Sequence, residues 1–131
     1  MKILVLSFYF EPDLCAGSFR NTSFVKTLLE KYPAANVEVI STSPNRYSGF
    51  RVAAPAIEKR ERLTIHRVSL PSHKSGMKDQ SVAFFSYAKG AIDISARTKY
   101  DVVFASSSRL MTAALAAYIS QRAKLPLYLD I

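Results

Sequence analysis

Short apolar runs rich in Leu, Ile and Val alternate along this chain with longer segments whose apolar positions fall three and four apart. Residues 2–7 carry Ile3, Leu4, Val5 and Leu6 without a polar interruption, the pattern of a strand covered on both faces and therefore of a parallel sheet. Phe24, Val25, Leu28, Leu29 and Tyr32 then follow at helical spacing, with Lys26, Glu30 and Lys31 facing away and Pro33 closing the segment. The first crossover helix is thus expected over residues 18–32. A second strand over residues 37–41 completes a strand–helix–strand unit, which is right-handed in nearly all proteins.

Residues 43–60 break the rhythm with Pro44, Asn45, Ser48, Gly49 and Pro55, and read as a long loop at a sheet edge with one helical turn near residues 53–60. Leu63, Ile65 and Arg67 alternate with Thr64, His66 and Val68 as in an edge or half-covered strand, which turns His66 to solvent. Past a loop holding Pro71 and Gly76, Val82, Phe84, Phe85, Ala88, Ala91 and Ile92 predict a core-facing helix started by Asp79 or Ser81 and running to Ser95. Tyr87 and Lys89 are its expected exposed residues, and Gly90 marks close packing. Residues 101–105 form a buried strand with Ser106, Ser107 and Ser108 at its exit. An alanine-rich helix from Leu110 to Ala123, packed through Leu110, Ala114, Ala117 and Tyr118, leads to a last strand over residues 125–131. This order predicts one α/β domain over residues 1–131, a Rossmann-like three-layer sandwich with a mostly parallel sheet.

Composition narrows the functional classes. At 131 residues, with 49% hydrophobic and 21% charged residues, the chain has room for one domain and its core. No apolar run approaches the ~20 residues that span a bilayer. The apolar start soon meets Glu11, Pro12 and Asp13 without a small-residue cleavage site, so a cytoplasmic strand is expected there and not a signal peptide. Cys15 is the single cysteine and forms no internal disulfide. Eighteen Lys and Arg against ten Asp and Glu leave a net charge of +8, which favours phosphates, acidic lipids or nucleic acid. Nucleic acid ranks last, because no aromatic-and-basic RNA-binding motif accompanies the charge. His66 and His73 lack partners at ligand spacing, so neither a zinc site nor a Ser-His-acid set is expected.

In an open parallel sheet, ligands bind beyond the carboxyl ends of the strands, which directs attention to the loops beginning at Phe8, Thr42, Leu70, Ser106 and Asp130. The first, FYFEPDLCAGSFRN, lacks the G-x-G-x-x-G fingerprint, so no dinucleotide cofactor is expected. It does set Ala16, Gly17 and Ser18 at a helix start, where unpaired N–H groups and the dipole favour a phosphate; a turn glycine and an N-cap serine explain the same residues equally well. Arg20 in the first turn is either a cation for that anion or a solvated surface residue. Ser106, Ser107 and Arg109 repeat the arrangement at another strand end. Asp130, the acid closing the last strand, fits a base, a hydroxyl binder or a helix cap.

Together MKILVLSFYFEPDLCAGSFRN, VEVISTSPNRYSG, YDVVFASSS and LPLYLDI resemble the amino-terminal domain of the group 1, or family 4, glycosyltransferases of the GT-B fold. The likeness spans essentially the whole chain, and SPNRYSG is most like bacterial enzymes that build surface glycans. The resemblance implies two Rossmann-like domains facing across a cleft. The amino-terminal one binds the acceptor, and the carboxyl-terminal one, with the paired glutamates for the nucleotide-sugar, is expected beyond this chain. It implies sugar transfer with retention, no metal or other cofactor, and often a lipid-linked acceptor at the inner membrane face. The Ala16-Gly17 pair stands where many relatives have two glycines, and Asn45 and Arg46 join Ala16, Gly17, Ser18, Arg20, Ser106, Ser107 and Arg109 as substrate-binding candidates. The family's catalytic residue falls at Asp130 or just after Ile131. By itself the chain is expected to be inactive. The rival reading is a non-enzymatic small α/β ligand- or nucleotide-binding module, against which stand the lack of an acidic cluster after the first strand and of any P-loop.

Overall fold

The apolar run of residues 2–7 takes the centre of a sheet. The computed structural model of the protein describes residues 1–8, 10, 16–42, 56–68, 77–106 and 110–130. These form β1 (Lys2–Leu6), α1 (Ala16–Lys31), β2 (Asn36–Thr42), β3 (Ile57–Arg60), β4 (Leu63–Val68), α2 (Met77–Ser95), β5 (Val102–Ser106), α3 (Leu110–Ala123) and β6 (Leu127–Asp130). The sheet order is β3-β4-β2-β1-β5-β6. All neighbours are parallel except β3 and β4. The chain winds outward from β1 through β2 to β4, crosses back by α2 to β5, and winds the other way to β6. Its direction therefore reverses between β1 and β5.

Strand parity sorts the core into two layers. Ile3, Val5, Val37, Val39 and Ile65 face α1, where Val25 is buried and Leu28 and Leu29 pack beside it. Leu4, Leu6, Ile40, Val103 and Ala105 face Phe84, Tyr87 and Ala91 of α2 and Leu115, Ala116 and Ile119 of α3. Slipping any strand by one residue would exchange these sets, so the apolar pattern holds the register. The Rossmann-like α/β expectation is met.

Several local expectations need correction. Within residues 53–60, Ile57–Arg60 is a strand antiparallel to β4 and not a helical turn. Its Glu58, Lys59 and Arg60 suit an edge, where charge discourages pairing with another chain. β4 is accordingly an inner strand, and its His66 is not solvent-facing: the side chain is 17% exposed and lies 3.8 Å from Glu38. Helix α2 begins at Met77, ahead of Asp79 and Ser81. Tyr87, expected outside, is fully buried, while Phe85 is exposed. The stripe of α3 is turned by about one residue, burying Thr112, Leu115, Ala116, Ile119 and Ser120 and leaving Ala114 and Tyr118 outside. Alanines on several sides of that helix hide its period. Tyr32 lies just past the end of α1 and is exposed, and Phe24 of α1 stacks on Phe104 with ring centroids 4.3 Å apart.

Gly90 does mark close packing. A Cβ there would meet both γ-methyls of Val68 at 2.9 Å. Gly90→Ala should gain up to ~1 kcal/mol of helix propensity and lose ~1–3 kcal/mol to overlap, leaving the fold about 1 kcal/mol less stable. Urea denaturation of Gly90→Ala with and without Val68→Ala checks this. A single variant more stable than the parent would show that Val68 yields without cost.

Candidate functional site

Because all parallel strands point the same way, the exits of β1, β2, β4, β5 and β6 share one edge, and the reversal between β1 and β5 is the place where sheets of this kind commonly take a ligand. Leu6 pairs with Ala105, so the next residues, Ser7 and Ser106, head the two exits on either side of that reversal. Both are buried, as are Ser41 and Thr42 at the end of β2. Polar side chains at these positions have backbone work to do. Thr42 Oγ1 donates to the Phe8 carbonyl at 2.7 Å and its N–H to the same oxygen at 3.3 Å, tying the β1 exit to β2. Tyr87 Oη donates to the Ile40 carbonyl at 2.7 Å, and burial holds this phenol far above its ordinary pKa, so it remains a neutral donor.

Helix α1 is fastened to the same place. Asn21 Nδ2 donates to Ser7 Oγ at 2.6 Å, with both residues buried. Asn21 Oδ1 and, in the first turn of α3, Thr112 Oγ1 are buried without a hydrogen-bond partner among the described residues. An unpaired buried oxygen costs about 1–3 kcal/mol, so each is a position where stability is not at its maximum. Sequence reasoning missed Ser7, Asn21 and Thr112. Asn21 carried a usable signal: it lies four and seven residues before Val25 and Leu28, on the buried stripe of α1, where an amide needs a reason.

Of the sequence candidates, Ala16, Gly17 and Ser18 occupy the first turn of α1. The helix thus begins two residues earlier than expected, and Ser18 lies inside the turn and not at the cap. The first four N–H groups of α1 have no intrahelical acceptor. Neither α1 nor α3 has an acidic residue in its first turn, so the positive ends of both dipoles are uncompensated by helix side chains. Arg20 is exposed near the start of α1. Ser106 stands in register with Asp130, which places that acid at the end of β6 on the same edge. Thus Ala16–Ser18, Arg20, Ser106 and Asp130 share one edge of the sheet. Asn45, Arg46, Ser107 and Arg109 lie outside the described residues.

No family model and no curated protein matches this chain. Solved structures do. A ugt transferase from Siraitia grosvenorii in complex with UDP superposes with a TM-score of 0.64 at 11% identity, over 99% of this chain and 27% of the transferase. The C-terminal domain of a hydrogenase from Pyrococcus furiosus superposes at 0.63, also at 11% identity, over 99% of this chain and 90% of that domain. The likeness is one of fold. The chain spans about a quarter of the transferase, and that shared part agrees with one half of a GT-B-like architecture.

Two clefts lined by described residues lie away from the strand exits. One of about 300 Å³ runs along α1 beside Phe10, Leu29, Arg62 and Leu63. One of about 570 Å³ opens between the carboxyl-terminal ends of α2 and α3. Among the described residues, no group of three or more His, Cys, Asp and Glu could hold a metal ion.

The remaining titratable cluster sits in mid-sheet on the α2 side. Glu38 accepts from Tyr100 Oη and lies 3.5 Å from Lys2 Nζ. Burial lowers the pKa of His66, against the opposing pull of Glu38, while Arg97, Lys59 and Lys2 act with burial. A depressed folded pKa means the neutral ring is preferred in the fold. The stabilising contribution is present above the ordinary value of 6.5 and lost as pH falls through the lower folded value. His66→Gln should therefore flatten the fall in unfolding free energy below about pH 6.5. Urea midpoints across pH 7.5 to about 5 test this, and parallel curves for both proteins would contradict it.

Proposed function

We propose that this chain is the amino-terminal, acceptor-binding domain of a retaining glycosyltransferase of family 4. The parent enzyme moves a sugar from a nucleotide-sugar to a glycan or lipid-linked acceptor in bacterial surface-polysaccharide synthesis. The observation that carries this reading is the reversal of winding between β1 and β5, flanked by two helix starts that lack acidic side chains. The fold shared with a UDP-bound transferase over 99% of the chain supports it. In this reading the N–H groups of Ala16, Gly17 and Ser18 face the negative charge that grows on the departing diphosphate, with Arg20 adding a cation. Ser106, Ser107 and Arg109 hold acceptor hydroxyls, Asn45 and Arg46 extend the acceptor surface, and Asp130 or the residue after Ile131 contacts the reacting sugar. The nucleotide-sugar is held mainly by a second domain.

The site of action in this reading is the inner face of the cytoplasmic membrane. Val82 and Phe85 are 48% and 67% exposed on the same side of α2, with Lys89 one turn on, a strip suited to an anionic lipid surface. Co-sedimentation with phosphatidylglycerol vesicles that Phe85→Ser does not weaken would remove this part.

One observation favours the rival module: the matching hydrogenase domain is nearly the size of this chain, so the fold also serves at this length in another setting. One experiment separates the two. The protein encoded by the complete reading frame is incubated with UDP-, GDP-, ADP- and dTDP-sugars and a membrane glycolipid extract, and release of the nucleoside diphosphate is followed. Release coupled to a glycosylated product with the donor's anomeric configuration is expected. A frame ending at Ile131, or no release with any donor, rejects the transferase in favour of the module.

A further inference from the structure

The largest of the clefts described above lies at the amino-terminal edge of the sheet, opposite the proposed transfer site. Its volume of about 570 Å³ is in the range of small-molecule sites. Ile92 from α2 and Ile119 from α3 supply aliphatic walls, and the rings of Tyr100 and Tyr118 add aromatic surface. Tyr100 spends its hydroxyl on Glu38 and has the Lys2 ammonium 5.8 Å from its ring centroid, so it borders the cleft as a largely buried, fixed wall, while Tyr118 is half exposed. Two cations, Lys99 and Arg122, also line the cleft, and no acidic residue does.

Capping the two helices does not account for these cations. The end of α3 is closed by backbone groups: Leu125 N–H donates to the Ser120 carbonyl at 2.9 Å and Lys124 N–H to the Gln121 carbonyl at 3.3 Å, with Lys124 at φ 57°. That is a Schellman closure. At the end of α2, Ser95 Oγ and Ala96 N–H both reach the Ile92 carbonyl, and Arg97 N–H reaches that of Ile94. Arg122 Nη1 makes only a long contact, 3.4 Å, to Tyr118 Oη, which lays the guanidinium beside the phenol. No ion pair engages Lys99 or Arg122 among the described residues.

We propose that this cleft binds a small amphipathic anion, an aromatic or aliphatic body seated on the tyrosine and isoleucine walls with one phosphate or carboxylate held by Lys99 and Arg122. Charge complementarity selects the head, since both lining charges are positive. The apolar walls select the body, since a bare inorganic anion would leave them wet. This inference is independent of the transferase reading.

Phenyl phosphate is the probe, titrated into the ¹⁵N-labelled chain and followed by amide chemical shifts, with inorganic phosphate and phenol as its two halves. Saturable shifts confined to residues 95–100 and 118–125 are expected, with each half binding at least about tenfold more weakly. Lys99→Gln and Arg122→Gln should each weaken binding about fivefold or more at unchanged urea midpoint, as exposed substitutions leave stability within about 0.5 kcal/mol. Lys26→Gln on α1 should change nothing. Absence of saturation at about 10 mM, or equal affinity in all variants, would overturn the proposal. Shifts confined to the ends of β1 and β5 would also overturn it and assign the anion to the transfer site.

Discussion

Tyr87→Ala should lower the unfolding free energy by about 3–5 kcal/mol, the largest single-residue loss expected in this domain. The side chain is wholly buried, meets Phe8 edge-on with ring centroids 5.3 Å apart and Phe84 at 6.3 Å, and donates to the Ile40 carbonyl. Truncation removes the ring's apolar transfer energy and leaves a cavity between α2 and the β1 exit. Against a total stability of about 5–15 kcal/mol, that is between about a fifth and the whole of the margin. Tyr87→Phe separates ring from hydroxyl. The Ile40 carbonyl still accepts from Ser7 N–H at 3.2 Å, so no oxygen is orphaned and only about 1 kcal/mol should be lost. Urea unfolding measures both. A loss below about 1.5 kcal/mol for Tyr87→Ala would mean that Phe8 and Phe84 close over the space. Phe8 also carries the carbonyl that anchors Thr42, so the alanine variant should loosen the strand-exit edge as well as the core.

Tyr87 also marks where sequence reading reaches its limit. Central strands were legible because burial on both faces forces an unbroken apolar run, as in Ile3 to Leu6. β3 was not, since an edge strand of four residues, Ile57–Arg60, buries too little to impose a period. In α2 the apolar positions extend around the helix, so that Phe85 and Tyr87 compete for the core, and the strand-side partners Phe8 and Ile40 decide between them. For the site, the strand ends were predictable from the rule that parallel strands present their carboxyl ends to ligands. Thr112 was not, because its meaning lies in a missing hydrogen bond, a three-dimensional fact, whereas Asn21 showed only as an amide on a buried stripe. Of the two, Thr112 is the one where an apolar replacement such as Thr112→Val removes an unpaired oxygen without breaking a hydrogen bond among the described residues, since Asn21 also donates to Ser7.

Arg62→Ala should cost about 2 kcal/mol, although the residue sits in the turn between β3 and β4 and no local pattern singles it out. Its guanidinium caps α1 from a distance: Nη2 donates to the Leu29 carbonyl at 2.6 Å, and Nη1 to those of Tyr32 and Ala35 at 3.0 and 3.1 Å. Helix α1 ends at Lys31 ahead of Pro33 and has no glycine to close its last turn. The carbonyls there need donors, and a cation at the negative end of the dipole adds to the three hydrogen bonds. Water can replace some of this at the exposed Tyr32 carbonyl, which is why the figure stays below three times a charged hydrogen bond. A lysine side chain would keep the charge but has no planar fork to reach three carbonyls, so Arg62→Lys should recover less than half of the loss. The check is a pair of urea titrations with amide hydrogen exchange in the last turn of α1. Exchange should accelerate there in Arg62→Ala before it does in β1 or β2. If the variant instead loses under about 0.5 kcal/mol with exchange unchanged, the contact is incidental and α1 is held by its apolar face and by Asn21 without it. Because Asn21 fastens the other end of the same helix to Ser7, loosening the Arg62 end tests whether the strand-exit edge depends on the whole length of α1 or on its first turns only.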